Sequence, residues 1–492
     1  MGVGDQAMGV GDQAMGVGDQ AAGPGDRAIL RRVNGSSPEE FRRDGHALVD
    51  LLADYLGAMA RREGAVLPPS EPDELVKRFG DALAQTTDVT SLAREVLATS
   101  NHMHHPRYVG HQVSPPLPAT ALLAMLGALL NNGMAVYETG PASTAMERVS
   151  VRWMAEKLGF PAGADGVLTS GGSLGNLTAL LVARAAARAQ HGDRPLAIVT
   201  SKQTHYCVAR AAGIMGLGEE GVVHVAVDER FRLDPSDLPR ALAEVERRGR
   251  APLAIVASAC STATGAFDPL ARVADVAAAK NIWLHVDGAH GASAAIAPRY
   301  RHLLDGVERA DSVVWDAHKM LLVPALVTGV IFRDGRRSYT AFSQTAAYLF
   351  DGDDAERRWF DVGMRTVECT KRMASLELYG ALALEGEAAL GAYVERMFDL
   401  AKTFADDIAA APDFELATPP DCNIVCFRFV PPGVTDLDGL QTRIREAIVT
   451  SGEYYLVMTT LPTGVFLRVT IISPGTTRDD LTSLLDAVRR AR

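Results

Sequence analysis

Asp287 and Lys319 are the two side chains whose types and spacing first indicate chemistry in this sequence. The apolar run 282–286 ends in Asp287, and Lys319 follows closely on a second run, 312–315. Short apolar runs between polar turns indicate buried parallel strands, whose carboxyl ends carry the ligands of α/β sheets. We therefore expect a carboxylate and a potentially nucleophilic amine in one crevice. Either residue alone also fits an ordinary strand-end acid or a solvated lysine.

A glycine-rich turn, Ser170 to Ser173, stands between a predicted strand and a helix that runs through Arg188. Glycine lets backbone amide groups approach an anion, and a helix start adds a partial positive charge, so the turn suits a phosphate. Glycine turns are common before helices, so this turn indicates little by itself.

The elements that must position these residues alternate along the chain. Apolar runs at 196–200, 222–227 and 253–257 predict strands that are separated by helices. This rhythm indicates a parallel α/β sheet.

Beyond Lys319 the pattern changes. A predicted strand at 327–332 leads into the polar segment 336–366, which is typical of a functional lid or of disorder because it has few strand or helix signals. A helical run then leads from Val367 to Phe404. A separate, smaller α/β unit is predicted from strands at 424–430 and 465–472 and helices near 437–449 and 479–491.

The N-terminus repeats a glycine-rich heptapeptide, MGVGDQA three times and then AGPGDRA. Large apolar residues are missing from the positions that a coiled coil needs, so we expect a disordered tail over residues 1–35. Ser37-Pro38-Glu39-Glu40 then predicts a helix start, with apolar residues at helical spacing after it.

The composition indicates a soluble globular protein that acts on a small molecule. With 492 residues, 47% of them hydrophobic, the chain can bury a large core and divide into several units. A net charge of −11 argues against nucleic-acid binding. Without a membrane-length apolar run or an export signal, we expect a protein that is neither inserted nor exported.

The five cysteines contain no CxxC pair, which predicts neither a disulfide framework nor a zinc site and fits a reducing cytoplasm. His102, His104 and His105 lack further ligands at metal spacing, so no metal is expected.

The stretch around Asp287 and Lys319 resembles the group II pyridoxal-phosphate-dependent amino-acid decarboxylases, which include enzymes for glutamate, cysteine sulfinate, diaminobutyrate and aromatic amino acids. The similarity covers most of the chain from Phe41 onward. In the turn 260–269, Cys260 replaces the family's first glycine. The matching residues are His285-Val286-Asp287-x-Ala289, the run 303–312, His318-Lys319, His105-Pro106-Arg107-Tyr108, Pro141-Ala142-x-Thr144-x-Met146-Glu147 and Phe466-Leu467-Arg468-Val469.

The resemblance implies an α/β type I fold of pyridoxal-phosphate-dependent transferases (aspartate aminotransferase-like), with a mostly parallel central sheet, an N-terminal helical arm and a smaller C-terminal α/β domain. It also implies a homodimer, because the arm of such enzymes packs on the partner subunit. The implied domains are a tail (1–35), a dimerisation arm (36–110), a large cofactor-binding domain (111–366, with its lid at 336–366) and a small domain (367–492).

The resemblance further implies pyridoxal 5′-phosphate as the cofactor and a set of residues around it. Lys319 forms an imine with the pyridoxal aldehyde, and Asp287 keeps the pyridine nitrogen protonated. His205 stacks on one face of the ring and Ala289 lies under the other. The phosphate is assigned to Gly172, Ser173 and His318, and the substrate to Arg468, Gln112 and Ser114, of which Arg468 takes the substrate carboxylate.

The lid leaves the outcome of the reaction open. At the place where the glutamate branch has a tyrosine that donates the final proton, counting without gaps puts Glu356. A buried glutamate with a raised pKa can act as this acid. Equally, slow protonation lets oxygen intercept the carbanion and yields an aldehyde and ammonia. If the lid is misaligned, Tyr348 or another group donates the proton.

We therefore expect α-decarboxylation of a small, non-aromatic L-amino acid to an amine and CO2. The first alternative is decarboxylative oxidative deamination. An alternative of another class is a catalytically idle family member that serves as an assembly or regulatory partner, against which the presence of Lys319, Asp287, His205 and Arg468 counts.

Overall fold

A computed structural model describes residues 37–85, 88–342 and 359–492. By its internal contacts the chain divides into two compact units, Met1–Ala58 with Ser70–Ser100 and Met59–Pro69 with Asn101–Arg492. The predicted domain boundaries at residues 110 and 366 stay predictions. Glu356 and Tyr348 lie outside the described residues.

The described residues of the first unit form three helices. Ser37 and Glu40 cap the first of them reciprocally, which confirms the predicted helix start. The Ser37 N–H donates to the Glu40 carboxylate at 2.8 Å, and the Glu40 N–H donates to the Ser37 hydroxyl at 3.1 Å. The helices are α1 (Pro38–Ala60), α2 (Pro72–Gln85) and α3 (Val89–Thr99).

The second unit contains a seven-stranded sheet with the order β1-β7-β6-β5-β4-β2-β3. The neighbouring pairs β3–β2, β2–β4, β4–β5 and β5–β6 are parallel. Strand β7 runs antiparallel to both of its neighbours, β1 and β6. The predicted mostly parallel sheet is confirmed. Its strands are β1 (Asp165–Thr169), β2 (Leu196–Ser201), β3 (Val222–Val225), β4 (Ala251–Ser258), β5 (Trp283–Asp287), β6 (Ser312–Asp316) and β7 (Thr328–Phe332).

The reversal of β7 has a simple cause. A parallel connection needs a crossover of a dozen or more residues, usually an α-helix. The connection from Asp316 to Thr328 holds only a single helical turn, so β7 has to return antiparallel.

Helices cover both faces of this sheet, which explains its continuous apolar strands. In β2, Ala197 and Val199 belong to one buried cluster, whereas Leu196 and Ile198 belong to another. The helices of this part are α4 (Pro118–Leu130), α5 (Pro141–Lys157), α6 (Gly172–His191), α7 (Cys207–Ile214), α8 (Leu238–Arg247), α9 (Leu270–Lys280) and α10 (Ala317–Met320).

A second sheet, antiparallel throughout, follows with the order β10-β11-β9-β8. The predicted helical run from Val367 to Phe404 is partly wrong, because a helix first begins at Ser375 and the chain turns at Gly386 with φ of 81°. The elements are β8 (Phe414–Leu416), β9 (Ile424–Phe429), β10 (Val457–Leu461), β11 (Gly464–Thr470), α11 (Ser375–Leu384), α12 (Glu387–Ala410), α13 (Leu437–Ser451) and α14 (Arg478–Arg490).

Within the described ranges, none of the helices combines the length and the apolar character that crossing a membrane requires.

Candidate active site

The carboxyl ends of β5 and β6 place Asp287 and Lys319 on one cavity. The two strands pair in parallel, and Lys319 follows β6 in the helical turn α10. Both side chains line a cavity of about 250 Å³. The same wall contains the other residues that the sequence predicted for the cofactor, which are Gly172, Ser173, His205, Ala289 and His318.

Asp316, which sequence reasoning missed, is the ion-pair partner of Lys319. Its carboxylate lies 3.0 Å from Lys319 Nζ and accepts a hydrogen bond from the Thr328 hydroxyl at 2.6 Å. Burial alone would lower the pKa of Lys319, but the carboxylates of Asp316 and Asp287 outweigh it and raise that pKa. The resting lysine is therefore an ammonium. The signal that was available is the spacing, because residues three apart share one face of a helical turn.

His205 and Ala289 contribute a flat ring and a small side chain to the same wall. His205 Nδ1 accepts the Cys207 N–H at 3.3 Å, so the neutral ring carries its proton on Nε2. Burial lowers the pKa of His205, and the Asp287 carboxylate offsets this only in part. An uncharged imidazole suits stacking on an aromatic cofactor ring.

The turn before α6 forms a cradle for an anion. Gly171 has φ of 99°, a conformation that favours glycine, and no side chain caps the helix that starts at Gly172. The first backbone N–H groups of α6 thus suit a phosphate. A Cβ at Gly172 would lie 2.9 Å from a carboxylate oxygen of Asp316, so glycine keeps this space open. With Asp287 for a ring nitrogen and Lys319 for an aldehyde, the donor set fits pyridoxal phosphate.

The segment from Tyr108 to Ser114 connects the C-terminal sheet with the lysine. The Thr470 N–H donates to the Val109 carbonyl at 2.8 Å, and the Ser114 hydroxyl donates to the His318 carbonyl at 3.2 Å. Gln112 lies between these points. It is buried, and its amide nitrogen has no hydrogen-bond partner in the described part of the chain. Neither Gln112 nor Ser114 lines the cavity, so their contact with substrate stays a prediction.

Arg468 on β11 is a buried guanidinium with unused hydrogen-bond donors. Its side chain is 4% exposed, and its Nε and Nη2 atoms have no partner among the residues that the structure describes. Burial lowers its pKa. Arg468 does not line the cavity, whereas Cys260 does. Cys260 is close enough to both Arg468 and Lys319 to influence the pKa of each. Leaving such donors unpaired is costly, so the site is prepared for an anion.

His290 is a residue of the cavity wall that sequence reasoning missed, although it stands three residues after Asp287.

The predicted proton donor Glu356 belongs to the segment 343–358, outside the described residues. Among the described residues, no group of three or more His, Cys, Asp or Glu side chains is arranged to hold a metal ion.

A mostly parallel sheet with an acid and a lysine at neighbouring strand ends, together with a glycine cradle, defines a type I pyridoxal-phosphate enzyme. Residues 72–430 match the pyridoxal-dependent decarboxylase conserved domain, and the chain belongs to that family. It is a pyridoxal-phosphate-dependent amino-acid decarboxylase, a carboxy-lyase. The predicted family, fold class and cofactor are thereby confirmed.

Relatives in this family act on different substrates. The chain is 31% identical over 445 residues to cysteine sulfinic acid decarboxylase of Homo sapiens, covering 85% of this chain and 90% of the human protein. It is 27% identical over 465 residues to aromatic-L-amino-acid decarboxylase of Bacillus atrophaeus, covering 92% of this chain and 95% of the bacterial protein. The crystal structure of mouse CSAD superposes with a TM-score of 0.85 at 28% identity, covering 92% of this chain and 99% of the mouse chain.

Proposed function

We propose that this enzyme removes the α-carboxylate of a small, non-aromatic L-amino acid and releases the amine and CO2. The observation that carries the proposal is Arg468, whose buried guanidinium keeps Nε and Nη2 unpaired among the described residues. A planar, bidentate donor pair is the arrangement that a carboxylate needs. Gln112, also buried with an unused amide nitrogen, is the second candidate donor for substrate.

The chain's own residues divide the work. Lys319 would bind the cofactor, Asp287 would hold the proton on its ring nitrogen, and the backbone N–H groups of Gly172 and Ser173 would hold its phosphate. His205 and Ala289 would contact the ring, and His318 would lie near the phosphate. When bound, the cofactor supplies the electron sink for the bond that breaks at the α-carbon.

The preference for a small, non-aromatic substrate is supported by similarity. Cysteine sulfinic acid decarboxylase, whose name gives a small acidic substrate, is 31% identical, whereas the aromatic-L-amino-acid decarboxylase is 27% identical. The sequence of the lid and of the C-terminal unit also resembles the glutamate and cysteine-sulfinate branch more than the aromatic one.

A panel of amino acids tests this proposal. The purified protein, loaded with pyridoxal phosphate, is incubated with L-cysteine sulfinate, L-aspartate, L-glutamate, L-2,4-diaminobutyrate, L-tyrosine and L-tryptophan, and CO2, amine, ammonia and peroxide are measured. We expect CO2 and amine in equal amounts from one of the first four. Turnover of the aromatic pair alone contradicts the substrate class. Ammonia and peroxide in place of amine identify oxidative deamination. If the product is the amine, full activity of Glu356→Gln rejects Glu356 as the acid that protonates the α-carbon.

We also propose a homodimer in the cytoplasm. Helices α1–α3 expose apolar side chains at Phe41, Val49, Leu52, Val76, Phe79, Leu83, Val89, Leu92 and Val96. Helix α4 separately exposes Leu122, Met125, Leu126, Leu129 and Leu130. Exposed apolar residues in such number are typical of protein interfaces. Light scattering after gel filtration measures the mass of the assembly, and cell fractionation tests the compartment.

A further inference from the structure

His290 is a buried histidine in the cavity wall to which the catalytic roles above assign no task. It follows β5 by three residues, and it is 2% exposed. The lining of the cavity includes it together with Lys319, Asp287 and His205. Its role can be worked out from its hydrogen bonds.

A chain of hydrogen bonds fixes which nitrogen of His290 carries the proton. The Asn423 amide nitrogen donates to the Ile471 carbonyl at 3.0 Å, which turns the Asn423 carbonyl oxygen towards His290. That oxygen lies 2.7 Å from His290 Nε2. Because an amide oxygen only accepts, Nε2 has to donate, and the neutral ring then has its lone pair on Nδ1.

Nδ1 of His290 is thus a hydrogen-bond acceptor, and within the described ranges it has no partner. Burial lowers the pKa of His290 to about 3, and the nearby cations Lys319 and Arg468 act in the same direction. The ring therefore stays neutral at physiological pH. A buried acceptor without a donor costs free energy unless a ligand supplies the donor.

The two cations that lower the pKa of His290 are also the groups that the proposed function assigns to the two ends of the substrate. Arg468 is the proposed partner of the substrate carboxylate, and Lys319 marks the place where the substrate nitrogen reacts. Three other acceptors of the cavity wall already have partners, because the Asn176 carbonyl oxygen lies 2.7 Å from His285 Nε2, His205 Nδ1 accepts a backbone N–H and Asp316 accepts from Thr328.

We propose that His290 Nδ1 accepts a hydrogen bond from the α-ammonium group of the incoming amino acid. His290 is then a positioning residue that recognises an amino acid as such, whatever its side chain, and turns its nitrogen towards Lys319. Asn423 holds the ring in the accepting tautomer. The inference rests on the proposed function, since it takes Arg468 as the carboxylate site.

The test compares an amino acid with the same acid lacking the amine. Borohydride reduction fixes the cofactor on Lys319 and stops turnover, so that binding of L-aspartate and of succinate can be measured by calorimetry. His290→Phe keeps a flat ring but removes the acceptor. We expect it to weaken L-aspartate binding about tenfold and to leave succinate binding unchanged within about twofold.

Two matched variants complete the design. His290→Gln can give an N–H to Asn423 and present a carbonyl oxygen to the ligand, so it should restore much of the lost affinity for L-aspartate. Arg468→Gln should weaken both ligands. Equal weakening of L-aspartate and succinate by His290→Phe, or no effect on either, overturns the proposal, and so does a wild-type protein that binds L-aspartate no better than succinate.

Failure of the proposed function has a different signature. If no amino acid in the panel releases CO2 although L-aspartate binding depends on His290, the decarboxylation proposal fails and the inference stands. If CO2 is released and His290→Phe leaves both KM and kcat unchanged, the inference alone fails. His290→Gln also guards against a variant that does not fold, and thermal unfolding measures this directly.

Discussion

The cofactor end and the substrate end of this site are built in opposite ways. At the cofactor end, charged groups of the chain pair with one another, as the 3.0 Å ion pair between Lys319 and Asp316 shows. At the substrate end, Arg468, Gln112 and His290 are buried with polar atoms that find no partner among the described residues. At the cofactor end, Lys319 must lose a proton before it can react. At the substrate end, the fold holds polar atoms in place, and a bound substrate would supply their hydrogen-bond partners.

The largest expected effect comes from removing the lysine. Lys319→Ala should abolish the covalent link to the cofactor and lower activity at least roughly a thousandfold, because the described residues that line the cavity include no other lysine. The measurement is the visible absorbance band of the lysine-bound cofactor and its trapping by borohydride on the Lys319 peptide. Lys280→Ala, at an exposed position on α9, is the control. A borohydride-trapped adduct elsewhere in Lys319→Ala would show that the cofactor lysine is misassigned.

A substitution at the substrate end should weaken substrate binding and leave cofactor binding unchanged. Arg468→Gln removes the partner of the substrate carboxylate, and we expect KM to rise ~100-fold while the cofactor absorbance stays that of the parent enzyme. Arg443→Gln, at a position 63% exposed, is the control and should change neither. If Arg468→Gln loses the cofactor as well, the two ends are one unit and the contrast between them is wrong.

The same contrast explains what the sequence could predict. Asp287 ends one strand and Lys319 closely follows the next, so the alternation of strands and helices predicted one crevice for both, whereas the resemblance to the family was needed to assign the turn at Gly172 to the phosphate. The substrate end joins Gln112, Asn423 and Arg468, which are distant in sequence, and only the resemblance to a family pointed to two of them. His290 was missed because its proposed function depends on a hydrogen bond to Asn423, which is distant in sequence and is not indicated by any local pattern. The antiparallel direction of β7 follows from its short connection to β6.

A smaller effect is expected at the phosphate cradle. Gly172→Ala would bring a Cβ to 2.9 Å from an Asp316 carboxylate oxygen that Thr328 and Lys319 hold in place. We expect the dissociation constant of pyridoxal phosphate to rise about tenfold, since such overpacking costs about 1–3 kcal/mol. Gly213→Ala on α7, where a Cβ meets nothing within 4 Å, is the matched control. Equal cofactor affinity in the two variants would mean that Asp316 moves freely, contrary to a preformed cofactor end.

The finest test concerns the proton on Lys319. The pKa of Lys319 is raised because Asp316 and Asp287 outweigh burial. Only the neutral amine attacks an aldehyde, so the rate at which the apoprotein incorporates pyridoxal phosphate should increase with pH until the lysine is deprotonated. Asp316→Asn removes one of the two carboxylates, lowers the pKa of Lys319 and should move this profile to lower pH, so that incorporation at neutral pH becomes several-fold faster. Stopped-flow absorbance at a series of pH values measures both profiles. A profile that does not move, or that moves to higher pH, would mean that Asp316 orients the lysine without controlling its proton, and the cofactor end would then be held by geometry alone, as the substrate end is.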